Sequence, residues 1–452
     1  MSIGGRMVHL RVARVVVAAL ALLSVGSLGA DEAIDDVAET YDLGFQFSTQ
    51  DQRFSLRLWG AIQFRYTYLD YEQRIQGNDT DYSSFYLRRA RVWFAGHAFE
   101  PRFTYFLHVQ LENTNAVNLH DAWLEYRLHP LARIGVGRFK IGYGLEFINS
   151  GFGLQFVERS VFSGETDIDF GDGPVYPGGG TWFFRLNARA PTGFATGGLT
   201  LYRSQGVQVA GLQGSNTTPT FEYQVGVWQG RGTRGLGNPD NRHLFAARAG
   251  YHPWGWIDSR FQGDLEGSDR YRLGLLGSAY SESSAEGGGF DERGYDLAIM
   301  NRYRGFSLDA EWATESYDFR DHDGDFDRQG WRVQAGYMVV PGKFEVAARY
   351  AENQRLRPAT YRASIDSGLL VAHVFDGEEY VPQIEGKISE ITVGVNWFIN
   401  DGHRHKLQVD TSWLTREFAD DPGAVIDGEP SPIEALPDQN DWRFRAMIQL
   451  VF

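Results

Sequence analysis

From residue 53 to its C-terminus, this chain alternates apolar and polar residues in segments of strand length. Clusters of Gly, Asp, Asn and Pro separate the segments. A pattern that repeats every two residues puts successive side chains on opposite faces of a β-strand, whereas a helix needs a repeat near 3.6 residues. The chain is therefore predicted to be all-β, with strands that each have one apolar and one polar face.

The segment 101–112 shows the pattern clearly. Phe103 and Leu107 fall on one face, whereas Thr104 and His108 fall on the other. Sixteen segments share this alternation and are predicted as strands: 53–69, 84–97, 101–112, 118–128, 132–139, 204–213, 219–229, 242–252, 269–281, 293–304, 306–318, 328–340, 342–352, 387–400, 403–416 and 441–452.

The connections between these strands differ in length. Gly305, Pro341-Gly342 and Asp401-Gly402 predict tight turns. The long connections are 70–83, 253–268, 282–292, 353–386 and 417–440. One rim of tight turns and one rim of long loops are typical of an up-and-down barrel in a membrane. We predict a transmembrane antiparallel β-barrel of about 16 strands over residues 53–452.

Hydrophobicity favours a membrane barrel over the other classes. The mean hydropathy is −0.35, and no apolar run is long enough to form a spanning helix. A soluble β-sandwich of this size would bury both faces of some strands, but here nearly every strand keeps one polar face. Aromatic residues near predicted strand ends suit the interfacial girdles of a barrel: Tyr66, Tyr68, Trp228, Trp254, Trp256, Trp312, Trp331 and Trp442.

The N-terminal segment has the composition of an export signal. Arginines precede the apolar run 15–23, and small residues follow it up to Ala30. This layout predicts a signal peptide over residues 1–30. Residues 31–52 are then a short N-terminal periplasmic segment ahead of the barrel.

Charge and composition exclude several functions. With 43 Lys and Arg against 58 Asp and Glu, the net charge is −15, which argues against nucleic-acid binding. The chain has no Cys, so it forms no disulfide and no Cys-ligated metal site. No nucleotide-binding loop, zinc-protease motif or hydrolase elbow is found, so neither an enzyme nor a cofactor is predicted.

Two local patterns of acidic residues and histidines offer possible metal ligands. The loop 321–327 carries four carboxylates at alternate positions, which either hold Ca²⁺ or form a solvated acidic rim that bridges divalent ions to lipopolysaccharide. His403 and His405 flank a tight turn without a third ligand, which predicts plain surface histidines.

The last strand, DWRFRAMIQLVF, ends in Phe452. Phe444, Ile448 and Leu450 share its face, whereas Arg445 lies on the opposite one. It resembles the C-terminal recognition strand of bacterial outer-membrane proteins, which implies that the barrel-assembly machinery is a partner. The alternative is an ordinary edge strand, which would be an aggregation hazard in a soluble protein.

Longer motifs carry a family resemblance. SSFYLRRARVWFAGHAF, LHDAWLEYRLHPLARIGVGRFKIGYGLEF and FVERS resemble the N-terminal third of the phosphate-selective porin O and P family, and VGVNWFINDGHRHKLQVD resembles its penultimate hairpin. The similarity is clearest over residues 53–160 and 387–452. It implies a sixteen-stranded barrel in the outer membrane of a Gram-negative bacterium, usually trimeric, that passes anions through an arginine-lined pore.

The same resemblance implies where the pore is narrowest. The segment 140–180 would be the loop that folds into the lumen and forms the constriction. The family's paired arginines match Arg88 and Arg89, the loop arginine matches Arg159, and Ser150 matches a position that donates a hydroxyl.

The arginines also suit anion binding on chemical grounds, because a guanidinium is always charged and offers paired donors to oxygen anions. Adjacent residues point to opposite faces of a regular strand, so Arg88 or Arg89 needs a bulge, a rim position or a subunit interface. Arg91 shares a face with Arg89, which we assign to the lumen. The alternative is that these arginines pair with lumen acids and only stiffen the wall; the candidate acids are Glu112, Asp121 and Glu125.

Some positions depart from the family's pattern. Phe147 and Phe152 stand where phosphate-specific members carry lysine, Arg91 stands where they carry an aromatic residue, and acids occupy the loop at 165–172. The predicted function is passive diffusion of small solutes, with anions such as phosphate favoured. A general or cation-preferring porin and a secreted β-rich polysaccharide-binding protein remain as alternatives.

Overall fold

The computed structural model describes residues 44–70, 82–112, 117–163, 199, 201, 203–229, 242–284, 290–320, 326–355, 362–366, 369–373, 387–400, 402–417, 425–426, 429–430 and 439–452. Residues 1–46 form one unit and residues 47–452 another. The barrel lies within the second unit.

Sixteen antiparallel strands close into a barrel, as predicted. Each strand pairs with its neighbour along the chain, and the last pairs with the first. The strands are β1 (Phe54–Asp70), β2 (Tyr82–Ala98), β3 (Glu100–Gln110), β4 (Asn118–His129), β5 (Ala132–Lys140), β6 (Arg203–Gln213), β7 (Thr220–Trp228), β8 (Leu244–His252), β9 (Arg272–Ser284), β10 (Phe290–Tyr303), β11 (Phe306–Phe319), β12 (Phe326–Val340), β13 (Phe344–Arg355), β14 (Lys387–Asn400), β15 (His405–Glu417) and β16 (Gln439–Val451).

The remaining elements are short. They are a strand at Phe45–Ser48, the helix α1 (Leu145–Ile148), a 3₁₀ turn at Gly402–Arg404, and the strand pairs Arg362–Asp366 with Leu369–His373 and Val425–Ile426 with Glu429–Pro430. In the described part of the chain, no helix has the length and hydrophobicity that a membrane crossing requires.

The C-terminal strand closes the barrel. Its register with β1 runs from Ala61 opposite Val451 to Asp70 opposite Trp442. Phe452 extends this ladder, because its N–H donates to the Gly60 carbonyl at 2.9 Å and the Gly60 N–H donates to the Phe452 carbonyl at 2.7 Å. Closure leaves no unpaired edge at this seam.

The outer face is apolar. Large hydrophobic side chains are exposed at alternate positions around the barrel, including Ile62, Phe64, Phe85, Leu107, Leu124, Val207, Val225, Leu297, Ile391 and Leu450. Trp254, Trp312 and Trp331 are exposed as predicted, but Trp228 is only 1% exposed and faces inward. It shares the parity of Glu222 and Gln224 on β7, so its girdle prediction was wrong.

The inner face is polar and charged, with most groups paired. Arg445 donates to both oxygens of Asp410 at 2.7 and 2.9 Å. Arg302 likewise donates to Asp309 at 2.6 and 3.2 Å. The strands therefore present apolar side chains to lipid and charged side chains to the lumen, the pattern expected of a barrel in a membrane.

The connection between β8 and β9 lies on an unexpected rim. The sequence analysis grouped 253–268 with the long loops. Along an antiparallel barrel, however, successive connections alternate between rims, and this one falls on the rim of the turns at Gly305 and Gly342. Length alone was therefore a poor guide to the rim.

A charge on the outer face tests the membrane orientation. Leu297 lies in the middle of β10 and is 61% exposed. Because lipid would surround it, Leu297→Arg should lower the free energy of unfolding by about 2–4 kcal/mol. Urea unfolding in phospholipid vesicles measures this difference. The apolar control Leu297→Met should lose much less, and equal stability of the two variants would contradict a lipid-facing position.

Candidate pore constriction

After β5 the chain turns into the lumen, and residues 141–163 of the predicted loop reach the opposite wall. Gln155 makes the clearest contacts: its Nε2 donates to Ser307 at 2.8 Å and to Glu345 at 2.6 Å. Asn396 on β14 donates to the Gln155 carbonyl at 2.8 Å. A Cβ at Gly336 would lie 2.1 Å from Gln155 Nε2, so the wall needs glycine there. Residues 164–180 of the predicted loop lie outside the described residues.

Apolar packing holds the loop against the wall. Helix α1 contributes Leu145, and the loop beyond it contributes Val161 and Phe162. The wall residues packed with them are Leu69, Leu276, Ala298, Met300, Ala313, Ala351, Ile388 and Leu414. The lumen therefore contains apolar clusters wherever the loop meets the strands.

A buried carboxylate anchors the loop internally. Glu146 Oε2 accepts hydrogen bonds from Ser160 Oγ at 2.6 Å and Ser163 Oγ at 2.5 Å. Arg332 and Arg349 approach it at 3.8 and 3.6 Å. Burial opposes the charged form of Glu146, but the two arginines and the hydroxyls outweigh it and hold its pKa below 4.5.

A β-bulge resolves the problem of the adjacent arginines. On β2, Arg89 lies opposite Gln63 and Leu87 lies opposite Phe64, so Arg88 is the additional residue. The bulge was one of the three predicted solutions. Both arginines can therefore reach the lumen, although they are neighbours in the chain.

Three arginines of the wall converge on Glu158 of the loop. Arg88 Nε donates to Glu158 at 2.5 Å, Arg89 Nη2 at 2.8 Å and Arg65 Nη1 at 3.3 Å. The carboxylate is 1% exposed. Burial alone would raise the pKa of Glu158, but the charges of Arg88, Arg89 and Arg65 hold it well below 4.5. We call Arg65, Arg88, Arg89 and Glu158 the arginine cluster.

Ser150 lies beside this cluster. A Cβ at the adjacent Gly151 would lie 2.8 Å from Arg89 Nε, so the guanidinium passes directly under the loop backbone. The Ser150 hydroxyl accepts a hydrogen bond from the Phe152 N–H at 3.3 Å. The structure thus brings Arg88, Arg89 and the turn at Ser150 together.

Arg91 and Arg159 lie in different environments from the cluster. Arg91 faces the lumen and forms a forked pair with Glu112, its Nε donating at 2.8 and 2.9 Å. Glu112 is one of the acids that the alternative prediction named as partners of these arginines. Arg159 is buried and donates to the loop carbonyls of Glu146 at 2.9 Å and Asn149 at 2.7 Å.

Sequence reasoning missed Glu158 and Arg65. Glu158 stands next to Arg159 in the FVERS motif, of which only the arginine was predicted as a site residue. Arg65 shares the parity of Gln63 on β1, which places it on the inner face. Parity along β1 was thus a signal that could have revealed Arg65, whereas nothing in the sequence pairs Glu158 with β2.

A second inward segment supports the loop from the rim of tight turns. In the connection 253–271, Gln262 Nε2 donates to Asn149 Oδ1 at 2.6 Å, and Gln155 N donates to Gln262 Oε1 at 2.9 Å. Asn149 Nδ2 donates to the Ser259 carbonyl at 2.5 Å. His403 Nε2 bonds to the Gln262 carbonyl at 3.0 Å, so its prediction as a plain surface residue was wrong.

Only one group of possible metal ligands occurs in the described part of the chain. His108, His120 and Asp121 place one ligand atom each within 4.8 Å of one another. Arg203 Nε already donates to Asp121 at 2.8 Å, and Arg91 lies 3.4 Å from His108. These positive charges oppose a cation, so we assign the group to the hydrogen-bonded wall. Residues 321–325 of the acidic loop lie outside the described residues.

The closed barrel, its apolar exterior and the loop packed across its charged lumen define an outer-membrane channel. A sequence profile of the family phosphate-selective porin O and P matches residues 58–420, and the chain belongs to this family. The alternative of a secreted polysaccharide-binding protein is therefore wrong. No curated protein sequence matches the chain.

The chain is similar to several solved porin and channel structures at low sequence identity. The anion-selective porin from Comamonas acidovorans is 12% identical, with a TM-score of 0.53 over 88% of this chain and 100% of its own. The channel DcaP of Acinetobacter baumannii is 11% identical, with a TM-score of 0.49 over 91% and 100%. Salmonella typhi OmpF, in complex with daunomycin, is 12% identical, with a TM-score of 0.48 over 90% and 100%.

Neutralising Glu158 should destabilise the barrel at neutral pH. Because Glu158→Gln leaves buried guanidinium groups without their carboxylate, we expect a loss of about 3–5 kcal/mol. The pKa of Glu158 is lowered in the folded protein, so its stabilisation is present above pH 4.5 and is lost as pH falls through the folded pKa.

Urea unfolding from pH 7 down to strongly acidic pH measures both effects. The difference between wild type and Glu158→Gln should shrink at the acidic end. Glu266→Gln, on an exposed carboxylate, is the control and should have little effect at any pH. A pH-independent difference would contradict a charged Glu158.

Removing the Gln262 side chain should loosen the loop. Gln262→Ala leaves the buried Asn149 Oδ1 and Gln155 N–H without these partners, at a cost of about 1–3 kcal/mol. We expect lower stability and a noisier single-channel current. Gln213→Ala, on an exposed strand end, is the matched control. A steady current equal to wild type would show that the connection does not support the loop.

Proposed function

We propose that this outer-membrane channel passes small anions by passive diffusion, with phosphate among them. The observation that carries the proposal is the convergence of lumen arginines beneath the inward loop. Arg88, Arg89 and Arg65 place three guanidinium groups around the single carboxylate of Glu158. Guanidinium groups bind oxygen anions through paired, charge-assisted hydrogen bonds.

The predicted site residues have distinct roles in this proposal. Arg88 and Arg89 lie at the constriction and attract the anion, and the turn at Ser150 borders the path. Arg91 lies on the same face of β2, and its positive charge is balanced by Glu112. Arg159 acts indirectly, because its bonds to loop carbonyls fix the shape of the constriction. A passing anion competes with Glu158 for the guanidinium donors.

The family and a porin of similar fold support the passage of anions. The family's name refers to phosphate, and a porin of similar fold is described as anion-selective. At 12% identity, the similarity to that porin shows a shared fold only. The replacement of lysines by Phe147 and Phe152 weakens the case for phosphate specificity more than the case for anion passage.

A cation-preferring channel is the second candidate, favoured by one part of the wall. Inward-facing carboxylates are concentrated on β9, β10 and β11: Glu282, Glu292, Asp296, Glu311 and Glu315. Glu311 pairs with Arg332 at 2.7 Å and Glu315 pairs with Arg328 at 2.6 Å. The sign of the ion selectivity decides between the anion channel, which the arginine cluster favours, and the cation channel, which these carboxylates favour.

Assembly and export complete the proposal. We infer that residues 1–30 are removed during export and that residues 31–52 remain in the periplasm. Three barrels associate as a homotrimer, with lipid and lipopolysaccharide around them, after insertion by the barrel-assembly machinery. Small solute anions are the only other partners proposed.

Single-channel recording in a planar bilayer tests the selectivity. Across a KCl gradient, wild type should give a reversal potential of anion-selective sign, and added phosphate should block the chloride current. Arg89→Ala should weaken the block by about tenfold, the effect of losing one charge-assisted contact. Glu158→Gln should shift the selectivity further toward anions.

Arg53→Ala provides the matched control, because Arg53 is exposed on the rim of tight turns. It should leave both the reversal potential and the phosphate block near wild-type values. Cation selectivity without phosphate block would retain the channel and reject the anion proposal.

A further inference from the structure

The outer face of the barrel carries a groove of about 600 Å³ on β6 to β10. Its centre is low because two small residues face outward there: Ala247 on β8 lies directly opposite Ala279 on β9. Larger side chains border this pair across the strands, Val225 on one side and Tyr295 on the other. These two side chains are 46% and 55% exposed. We call this concavity the outer groove.

The end of the outer groove nearer the long loops is polar. Ser281 follows Ala279 on the outer face of β9, and it lies directly opposite Arg293 on β10. Arg293 is exposed, and it is the one charged residue among the described residues that line the groove. Because β10 begins at Phe290, Arg293 lies close to the rim of long loops. The groove thus leads from an apolar concavity to a guanidinium group.

The guanidinium group of Arg293 is available to a ligand. In the described part of the chain, Arg293 forms neither a hydrogen bond nor an ion pair. Its neighbours across the strands are Ser281 and Ser316. Asp291 lies two residues before it, but Arg320 already donates to both oxygens of that carboxylate, at 2.7 and 3.2 Å. Arg293 therefore offers a positive charge at the mouth of the groove.

The position of this charge fits the headgroup region of a membrane. An arginine on the lipid-facing side of a barrel is costly at the middle of the bilayer and tolerated near its surface. Its long stem lies against apolar surface while the guanidinium group reaches the polar layer. A guanidinium group forms paired, charge-assisted hydrogen bonds with phosphate oxygens. A phosphate of the lipid leaflet at this rim is therefore a suitable partner for Arg293.

A second groove on the outer face lacks this feature. It has a volume of about 900 Å³ and is bordered by Tyr337, Val346 and Val395. None of its described lining residues is an arginine or a lysine. Both grooves can hold a hydrocarbon chain, but the outer groove also has a group that recognises an anion.

From the apolar concavity and the charge at its mouth, we propose that the outer groove binds lipopolysaccharide. One acyl chain of its lipid A part lies over Ala247 and Ala279, and one phosphate pairs with Arg293. Long loops of outer-membrane barrels face outward, so the charged end lies in the leaflet that contains lipopolysaccharide. A second barrel packed there by an apolar wall would bury the Arg293 charge without a partner, which is costly. The inference rests on the proposed lipopolysaccharide surroundings and is independent of ion selectivity.

Native mass spectrometry of the full protein, released from detergent micelles, tests the site. The probes are diphosphorylated lipid A and the same lipid without phosphates, both in EDTA so that no divalent ion bridges phosphate to Asp291 or Asp318. Wild type should bind the phosphorylated form about tenfold more tightly, the factor expected from one charge-assisted contact. In Arg293→Gln the two affinities should become equal, whereas Arg293→Lys should retain most of the preference. Ala247→Phe/Ala279→Phe, which fills the groove, should weaken both lipids.

Two variants are matched controls. Arg53→Gln removes an exposed arginine at the rim of tight turns, and Ala348→Phe fills part of the second groove. Both should keep the phosphate preference and the affinity of the wild type. Equal wild-type affinities, or a preference that survives in Arg293→Gln, would overturn the phosphate contact. Unchanged affinities in Ala247→Phe/Ala279→Phe would overturn the groove as the acyl site.

Other occupants give different results in the same experiment. Phosphatidylglycerol that binds more tightly than lipid A, and loses this affinity in Arg293→Gln, would overturn the assignment in favour of a phospholipid. Loss of oligomers in Ala247→Phe/Ala279→Phe, with lipid affinity unchanged, would overturn it in favour of a second copy of the chain.

The reversal potential separates this inference from the proposed anion channel. Arg293 lies on the outer face, so Arg293→Gln should leave the reversal potential of the wild type unchanged. Cation selectivity with the phosphate preference intact rejects the anion channel and keeps the lipid site. Anion selectivity with equal affinities for the two forms of lipid A rejects the lipid site and keeps the anion channel.

Discussion

The structure depends on the closure of the backbone hydrogen-bond ladder. Lipid offers no partners for N–H and C=O groups, so an open edge in the membrane would leave several of them unsatisfied. The pairing of β16 with β1, extended by Phe452 and Gly60, removes that edge. Once the cylinder is closed, strand parity alone decides which side chains meet lipid and which meet the lumen. The charge pairs of the wall and the apolar outer face both follow from it.

Inside the cylinder, both apolar packing and charge pairs connect the inward loop to the wall. Glu146 and Glu158 are buried carboxylates of the loop, and each is surrounded by arginines of the wall. Such pairs confer little net stability compared with apolar packing, but removing one partner is costly. They therefore act mainly by fixing the loop in one position. The connection 253–271 adds neutral hydrogen bonds from the opposite rim. The inward loop is thus held by contacts with the wall and with the connection 253–271.

Local pattern revealed the strands, but not the contacts between distant segments. The period of two predicted β14 at its observed bounds. The adjacent arginines required a bulge, a rim position or a subunit interface, and the bulge was found at Arg88. The even position of Trp228 along β7 predicts that it faces inward, although its residue type suggested a girdle. The alternation of connections between the two rims likewise places 253–271 on the rim of tight turns, although its length suggested the other rim. The meeting of Glu158 with Arg88 depends on how a loop crosses the lumen, which no local periodicity encodes. The pairing of Arg91 with Glu112 was one of the predicted alternatives, because Glu112 follows the strand next to β2.

The bulge at Arg88 gives β2 two opposite phases. Before it, the odd-numbered Phe85 and Leu87 face outward; after it, the odd-numbered Arg89 and Arg91 face inward. The positions that face the lumen therefore change from even-numbered to odd-numbered residues at the bulge. Deleting that residue would exchange inside for outside along half of the strand, although no side chain of the wall had been substituted. A single inserted residue is thus what permits lipid-facing and pore-facing chemistry to follow one another on the same strand.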